Sequence, residues 1–199
     1  MIESTPTHLD PAYRNALILC AALNAGMVLI EGGAGLAVGS AALLADAVDF
    51  IEDATMLALA VVALGWSLRA RAVAGAVQGL TMAAVGFAAI GAIAYRLLAG
   101  GAPDAPSVGV VAFMALAVNV YCAYRLARFR RGDSSMRSIW LSSRNDAILN
   151  ILTILAAGVI YLTHSGWPDI IVGALIAAIN LWAAAEVLLA AMRETMASN

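Results

Sequence analysis

Residues 39–66 read GSAALLADAVDFIEDATMLALAVVALGW, a stretch that is apolar enough to cross a bilayer and yet carries four acidic residues. One carboxylate at the centre of a spanning helix costs roughly 2.5–3.5 kcal/mol on insertion scales, so three would cost about 10 kcal/mol unless something compensates them. At 100° per residue, Asp46, Asp49 and Asp53 lie within about 60° of one helix face, and Glu52 is turned further round. The stretch therefore predicts a membrane helix with an acidic stripe.

The composition of the whole chain is that of a membrane protein. Of 199 residues, 63% are hydrophobic and 12% are charged, against roughly 25% charged in a soluble domain. We expect an all-α, polytopic fold with six transmembrane helices in one domain, 1–199, without a soluble C-terminal domain. The N-terminal segment lacks a basic region and a cleavage site, so we expect no removable signal peptide. The predicted spans cover about residues 13–38, 41–66, 72–98, 108–128, 138–163 and 168–192.

The basic residues predict how the chain is oriented. All eleven are arginines, and only Arg96 falls on the side of the predicted bundle opposite the N-terminus. The positive-inside rule therefore places both termini in the cytoplasm, with the chain in the plasma (inner) membrane of the cell. We interpret the arginine-rich segment RFRRGDSSMR as a topology signal and a contact with anionic lipid, and we expect no nucleic-acid partner.

Span five carries a second polar stripe. In WLSSRNDAILNILTIL, which begins at residue 140, Ser142, Asp146 and Asn150 lie within an arc of about 80°. Asp53 and Asp146 each fall near the middle third of spans that enter the membrane from opposite sides, so the two stripes can meet at similar depth. We predict a divalent-cation site of oxygen ligands from Asp49, Asp53 and Asp146, completed by Ser142 or Asn150.

Such a cluster would exchange metal for protons. Three carboxylates without a cation cannot all ionise cheaply, so the empty site would hold protons that metal binding expels. Asp46 lies about one turn nearer the outer end of the helix. Three roles are open for it: it caps the helix, lines an access path for metal and protons, or ligates the metal directly. Glu31 in span one either pairs within the bundle or relays protons, and Glu52 faces a neighbouring subunit or the cytoplasmic funnel. We expect no permanently bound cofactor.

These residues resemble the pattern of the cation diffusion facilitators, which exchange divalent metal for protons across membranes. The resemblance rests on Glu31, GSAALLADA and the acid pair in span two, and on the related pair of positions in span five. It implies that Asp49, Asp53 and Asp146 match family ligands, and that Ser142 stands where His is common. It further implies efflux of Zn²⁺ first, with Cd²⁺ tolerated, then Mn²⁺, Fe²⁺ or Co²⁺, by a homodimer. Members of the family normally add a cytoplasmic C-terminal domain.

Two other functions remain open at this stage. A proton-coupled exporter of organic cations would line its cavity with aromatic residues, whereas the aromatics here fall mostly toward span ends. A non-transporting membrane scaffold would not need its acidic residues. We predict no enzyme, because the sequence has no catalytic triad pattern or nucleotide loop. Isolated polar residues are predicted to make packing contacts: Gln78, Asn119, Asn180 and Glu186.

Overall fold

Six α-helices account for the fold of the described chain. The computed structural model describes residues 11–62, 68–130 and 134–197, and within these ranges there is no β-strand. The predicted all-α fold is therefore confirmed. The helices are α1 Pro11–Val38, α2 Ala41–Val62, α3 Leu68–Ala99, α4 Ala105–Ala127, α5 Ser134–Thr163 and α6 Trp167–Ala197.

Each predicted span falls on one helix, but most helices are longer than the spans. Helices α3, α4 and α5 begin three or four residues before the predicted starts, and α6 continues to Ala197. The predicted end of span two, at residue 66, lies outside the described residues. Hydropathy marks the part of a helix that suits lipid, and a helix continues past that part until a breaker ends it.

Five of the described helices are long and apolar enough to cross a membrane. The exception is α2, which has 22 residues but carries four carboxylates near its middle. Helix α2 is therefore long enough to cross a membrane, but its charges make it too polar to do so by itself. The chain is a polytopic membrane protein.

Helix α2 lies at the centre of the bundle. The most extensive contacts are between α1 and α2, between α4 and α5, and between α3 and α6, and α2 also packs against α3, α5 and α6. Eleven of its 22 residues are buried. The acidic stripe of α2 therefore points into protein, where facing side chains can compensate it, instead of into lipid.

One end of the bundle, here called the arginine-rich end, gathers the start of α1, the end of α4 and the start of α5. The rings of Tyr13 and Phe129 pack with their centroids 4.9 Å apart. The guanidinium of Arg128 lies over Phe129, 4.4 Å from its centroid, and Arg130 lies 5.1 Å over Trp140. These cation–π contacts fix arginines beside aromatic rings, an arrangement typical of a membrane–water interface.

The opposite end, here called the Arg96 end, is held by a carboxylate of α6 that caps α2. Asp169 accepts hydrogen bonds from Ser40 Oγ at 2.5 Å, from the Ala41 amide at 2.6 Å and from the Ala42 amide at 3.3 Å. Its side chain is only 1% exposed. The first amides of a helix have no partner within that helix, so Asp169 supplies the acceptor that they lack. We call this contact the Asp169 clasp.

Two glycines make the Arg96 end compact. Gly39, between α1 and α2, has φ of +65°, a conformation that favours glycine, and so allows the chain to reverse within two residues. Gly173 lies against the start of α2, where an added Cβ would stand 2.8 Å from the carbonyl carbon of Ala41. The backbones of α2 and α6 can therefore approach closely only because position 173 has no side chain.

Helix α4 begins with a cap of its own. The Ser107 amide and hydroxyl donate to the Asp104 carboxylate at 3.1 Å and 2.5 Å. These hydrogen bonds lower the pKa of Asp104 below its usual value. Unlike Asp169, Asp104 is exposed, and the hydrogen bonds that it accepts come from its own helix.

Candidate metal centre

A cavity of about 370 Å³ lies between α2, α5 and α6. Its polar wall is formed by carboxylates and other oxygen-bearing side chains, and its apolar wall by aliphatic residues of α5 and α6. No described residue of this lining is basic or aromatic. The lining consists of Asp49, Glu52, Asp53, Ser142, Asn145, Asp146, Ile148, Leu149, Ile179, Asn180 and Ala183.

Ser142 joins the acidic stripes of α2 and α5. Its hydroxyl donates to Asp53 Oδ1 at 2.9 Å and lies 3.5 Å from Asp146 Oδ2. These two oxygens are therefore no farther apart than the sum of the two distances. Asp53 and Asp146 are 3% and 9% exposed, respectively. The structure thus brings α2 and α5 together through Asp53, Ser142 and Asp146, three of the predicted ligands.

Asp49 lies on the same cavity, one turn along α2 from Asp53. Its side chain is 8% exposed, and its buried Oδ2 has no hydrogen-bond partner. A buried acceptor without a donor is costly, unless a cation, a proton or water occupies the space beside it. Glu52, turned away from the stripe in the sequence analysis, also lines the cavity and is partly exposed.

The carboxylates surround the cavity without converging on one point. Among the described residues, no three His, Cys, Asp or Glu side chains come close enough to hold a metal ion between them. The cavity is large enough for several water molecules, which can complete the coordination of an ion that contacts one or two protein oxygens. A tighter shell would require the carboxylates of α2 and α5 to converge.

Asn150 is not brought to this cavity. It lies one turn beyond Asp146, is fully buried, and donates from Nδ2 to the Asp146 carbonyl oxygen at 3.0 Å. The arc of about 80° that placed it on the acidic face of α5 is wide enough for one edge to face the cavity and the other a neighbouring helix.

Glu31 and Asp46 form a separate buried pair between α1 and α2. Both side chains are 0% exposed and lie within hydrogen-bonding reach of each other. None of their four carboxyl oxygens has a standard hydrogen bond with another described group, and neither residue lines the cavity. Two carboxyls in this position can share a proton, which leaves the relay and the pairing interpretations of Glu31 compatible.

Two asparagines of the lining were missed in the sequence analysis. Asn145 carries no predicted role, and Asn180 was predicted to make only a packing contact. A signal for Asn180 does exist, because Asp169, Gly173 and Asn180 fall within about 40° on one face of α6. That face is the one turned toward α2.

Comparison with known proteins gives the family. The model of the cation efflux transmembrane domain matches residues 17–195, which is nearly the whole chain. No curated protein matches the chain. The match includes every carboxylate of the cavity and most or all of each of the six helices, and it confirms the resemblance to the cation diffusion facilitators. The chain belongs to the cation efflux family.

Proposed function

We propose that this cation efflux transporter moves divalent transition-metal cations out of the cytoplasm in exchange for protons. Asp49, Asp53 and Asp146 act as carboxylate ligands, and Ser142 adds a neutral oxygen. The observation that carries the proposal is the contact of Ser142 with carboxylates of both α2 and α5 on the wall of one cavity. Side chains from two helices can then hold one ion and release it when the helices separate.

The lining favours a small inorganic cation over an organic one. Acceptor oxygens predominate, and no Arg, Lys or His stands among the described lining residues to neutralise them. An organic cation exporter would offer aromatic faces to its substrate, but the apolar part of this lining is aliphatic. A compact divalent ion would compensate two of the carboxylates at once.

Zn²⁺ is the first candidate substrate, with Cd²⁺ tolerated and Mn²⁺, Fe²⁺ or Co²⁺ next in order. Zn²⁺ ranks first because of the resemblance to the family pattern. Carboxylate oxygens can bind it at about 2.0–2.2 Å. The hydroxyl of Ser142, where family members commonly have His, makes the ligand set all-oxygen. Such a set also suits Mn²⁺.

Proton coupling follows from the ligands themselves. Carboxylates must be deprotonated to bind metal, so metal and protons compete for the same oxygens. When metal leaves, repulsion among Asp49, Asp53 and Asp146 favours the return of protons. If the cavity opens to each side in turn, this competition is enough for exchange, and an inward proton gradient drives metal outward.

The proposed setting is the plasma (inner) membrane, with the arginine-rich end in the cytoplasm. Arg128 and Arg130 stack on aromatic rings at that end, as the positive-inside rule requires of a cytoplasmic face. We further propose that the chain works as a homodimer, as the family pattern implies.

Flux into proteoliposomes tests the proposal. The chain is reconstituted with a metal-sensitive dye inside, a pH gradient is imposed, and Zn²⁺, Cd²⁺ or Mn²⁺ is added outside. We expect metal-dependent flux that Asp53→Ala and Asp146→Ala each abolish. Asp104→Ala is the matched control, because Asp104 is exposed and lies outside the cavity.

Two results would contradict the proposal. One is flux that persists in both cavity variants. The other is metal flux without an accompanying change in internal pH. A scaffold without transport would show no flux in the parent protein and would keep its role after all three aspartates were replaced by asparagine.

A further inference from the structure

We propose that the side-chain oxygen of Asn180 is an additional cation ligand, so that α6 completes a site built from three helices. This inference rests on the proposed function and specifies the ligand set of the same cavity. It assigns a binding role to a residue that the sequence analysis treated as a packing contact.

The placement of Asn180 is the first support. Its side chain is 1% exposed and lines the cavity together with Asp49 and Asp53. Its Nδ2 donates to the Ala45 carbonyl oxygen of α2 at 3.3 Å. Asn180 therefore sits where α6 meets the acidic stripe.

The orientation of the amide is fixed by its neighbours. Turning it over would set Oδ1 against the Ala45 carbonyl oxygen, so that two acceptors would face each other. With Nδ2 toward Ala45, the buried Oδ1 of Asn180 has no hydrogen-bond partner. An amide oxygen in this position needs a donor or a cation.

Two donors of the cavity wall with defined partners are directed away from these acceptors. The hydroxyl hydrogen of Ser142 is directed to Asp53, and Nδ2 of Asn180 is directed to Ala45. The buried Oδ2 of Asp49 also lacks a partner. Two unpaired oxygens on neighbouring residues of one cavity are the arrangement that a cation satisfies.

A neutral amide oxygen changes the shell in a defined way. It adds a ligand without adding negative charge, so the site need not bind more protons when it is empty. A larger set of oxygen ligands matters most for Mn²⁺, which prefers oxygen shells with more ligands than the four typical of Zn²⁺.

Calorimetric titration of Zn²⁺ and Mn²⁺ into the purified full chain tests the assignment. We expect Asn180→Ala to weaken binding about 10- to 100-fold, the range for loss of a group that supports a metal site. Asn180→Leu keeps the size of the side chain and removes both of its polar atoms, so it should show a similar loss of affinity. The matched control is Asn119→Ala. Asn119 is also 1% exposed with an unpaired Oδ1, but it lies on α4 away from the cavity.

The outcomes separate the inference from the proposed function. Parent affinity in Asn180→Ala, or an equal loss in Asn119→Ala, overturns the role of Asn180 while metal binding itself stands. If Asn180→Ala does not fold, Asn180→Leu decides the question, and parent affinity in that variant overturns the role. A parent chain that binds neither metal refutes the proposed function.

Discussion

Replacing Asp169 with alanine should loosen the Arg96 end of the bundle, because one carboxylate there ties the first turn of α2 to α6. The variant loses three hydrogen bonds and leaves the Ser40 hydroxyl and the amides of Ala41 and Ala42 without their acceptor. Water cannot easily replace the carboxylate, since Asp169 is 1% exposed.

The structure sets the size of the effect. The bonds of 2.5 Å and 2.6 Å have the short lengths of charge-assisted hydrogen bonds, each of which contributes about 1.5–3 kcal/mol. The third, at 3.3 Å, adds little. We therefore expect Asp169→Ala to lower the free energy of unfolding by roughly 3–6 kcal/mol, the combined contribution of the two short bonds. Asp169→Asn keeps one acceptor oxygen and should lose about half as much.

Unfolding of the purified chain in detergent micelles by added SDS, followed by circular dichroism, measures the loss. Asp104→Ala is the matched control, because it removes an aspartate that also caps a helix near this end but is exposed. Its midpoint should move much less than that of Asp169→Ala. Equal midpoints for Asp169→Ala and the parent, or an equal shift in the control, would refute the view that the clasp holds α2 to α6.

Three further predictions concern the cavity and the packing around it. Ser142→Ala should weaken metal binding about tenfold in calorimetry, whereas Ser143→Ala, whose hydroxyl faces its own helix backbone, should bind like the parent. Gly173→Ala should destabilise the chain by about 1–3 kcal/mol in SDS unfolding, because the added Cβ would meet the α2 backbone. Gly158→Ala is the control: its Cβ would enter open space, so the substitution should be neutral or stabilising. A greater loss in Gly158→Ala than in Gly173→Ala would be inconsistent with this packing. Metal affinity should rise with pH, about tenfold per unit for each proton released, and a flat pH profile in calorimetry would rule out proton exchange.

The sequence predicts those features that depend on a single helix or on a pair of helices with matching polarity. The acidic stripe of α2 follows from the 100° geometry, and the meeting of Asp53 with Asp146 follows from two stripes at similar depth. The contribution of α6 is harder to predict in this way, because the signal for Asn180 is its alignment on one helix face with Asp169 and Gly173, two to three turns earlier, and not a dense polar stripe. Which edge of the α5 arc faces the cavity depends on helix rotation, so Ser142 reaches the cavity and Asn150 does not.

The pairing of α3 with α6 has a consequence for how the protein is made. Helix α3 is synthesised well before α6, its main partner. Because α3 contains no acidic residue, it can remain exposed to lipid until α6 is in place. Helix α2 cannot remain exposed to lipid in this way, because four carboxylates lie near its middle. The side chains that face them across the cavity belong to α5 and α6, which are synthesised later. We therefore expect α2, although second in order of synthesis, to be among the last helices to take its final place in the membrane.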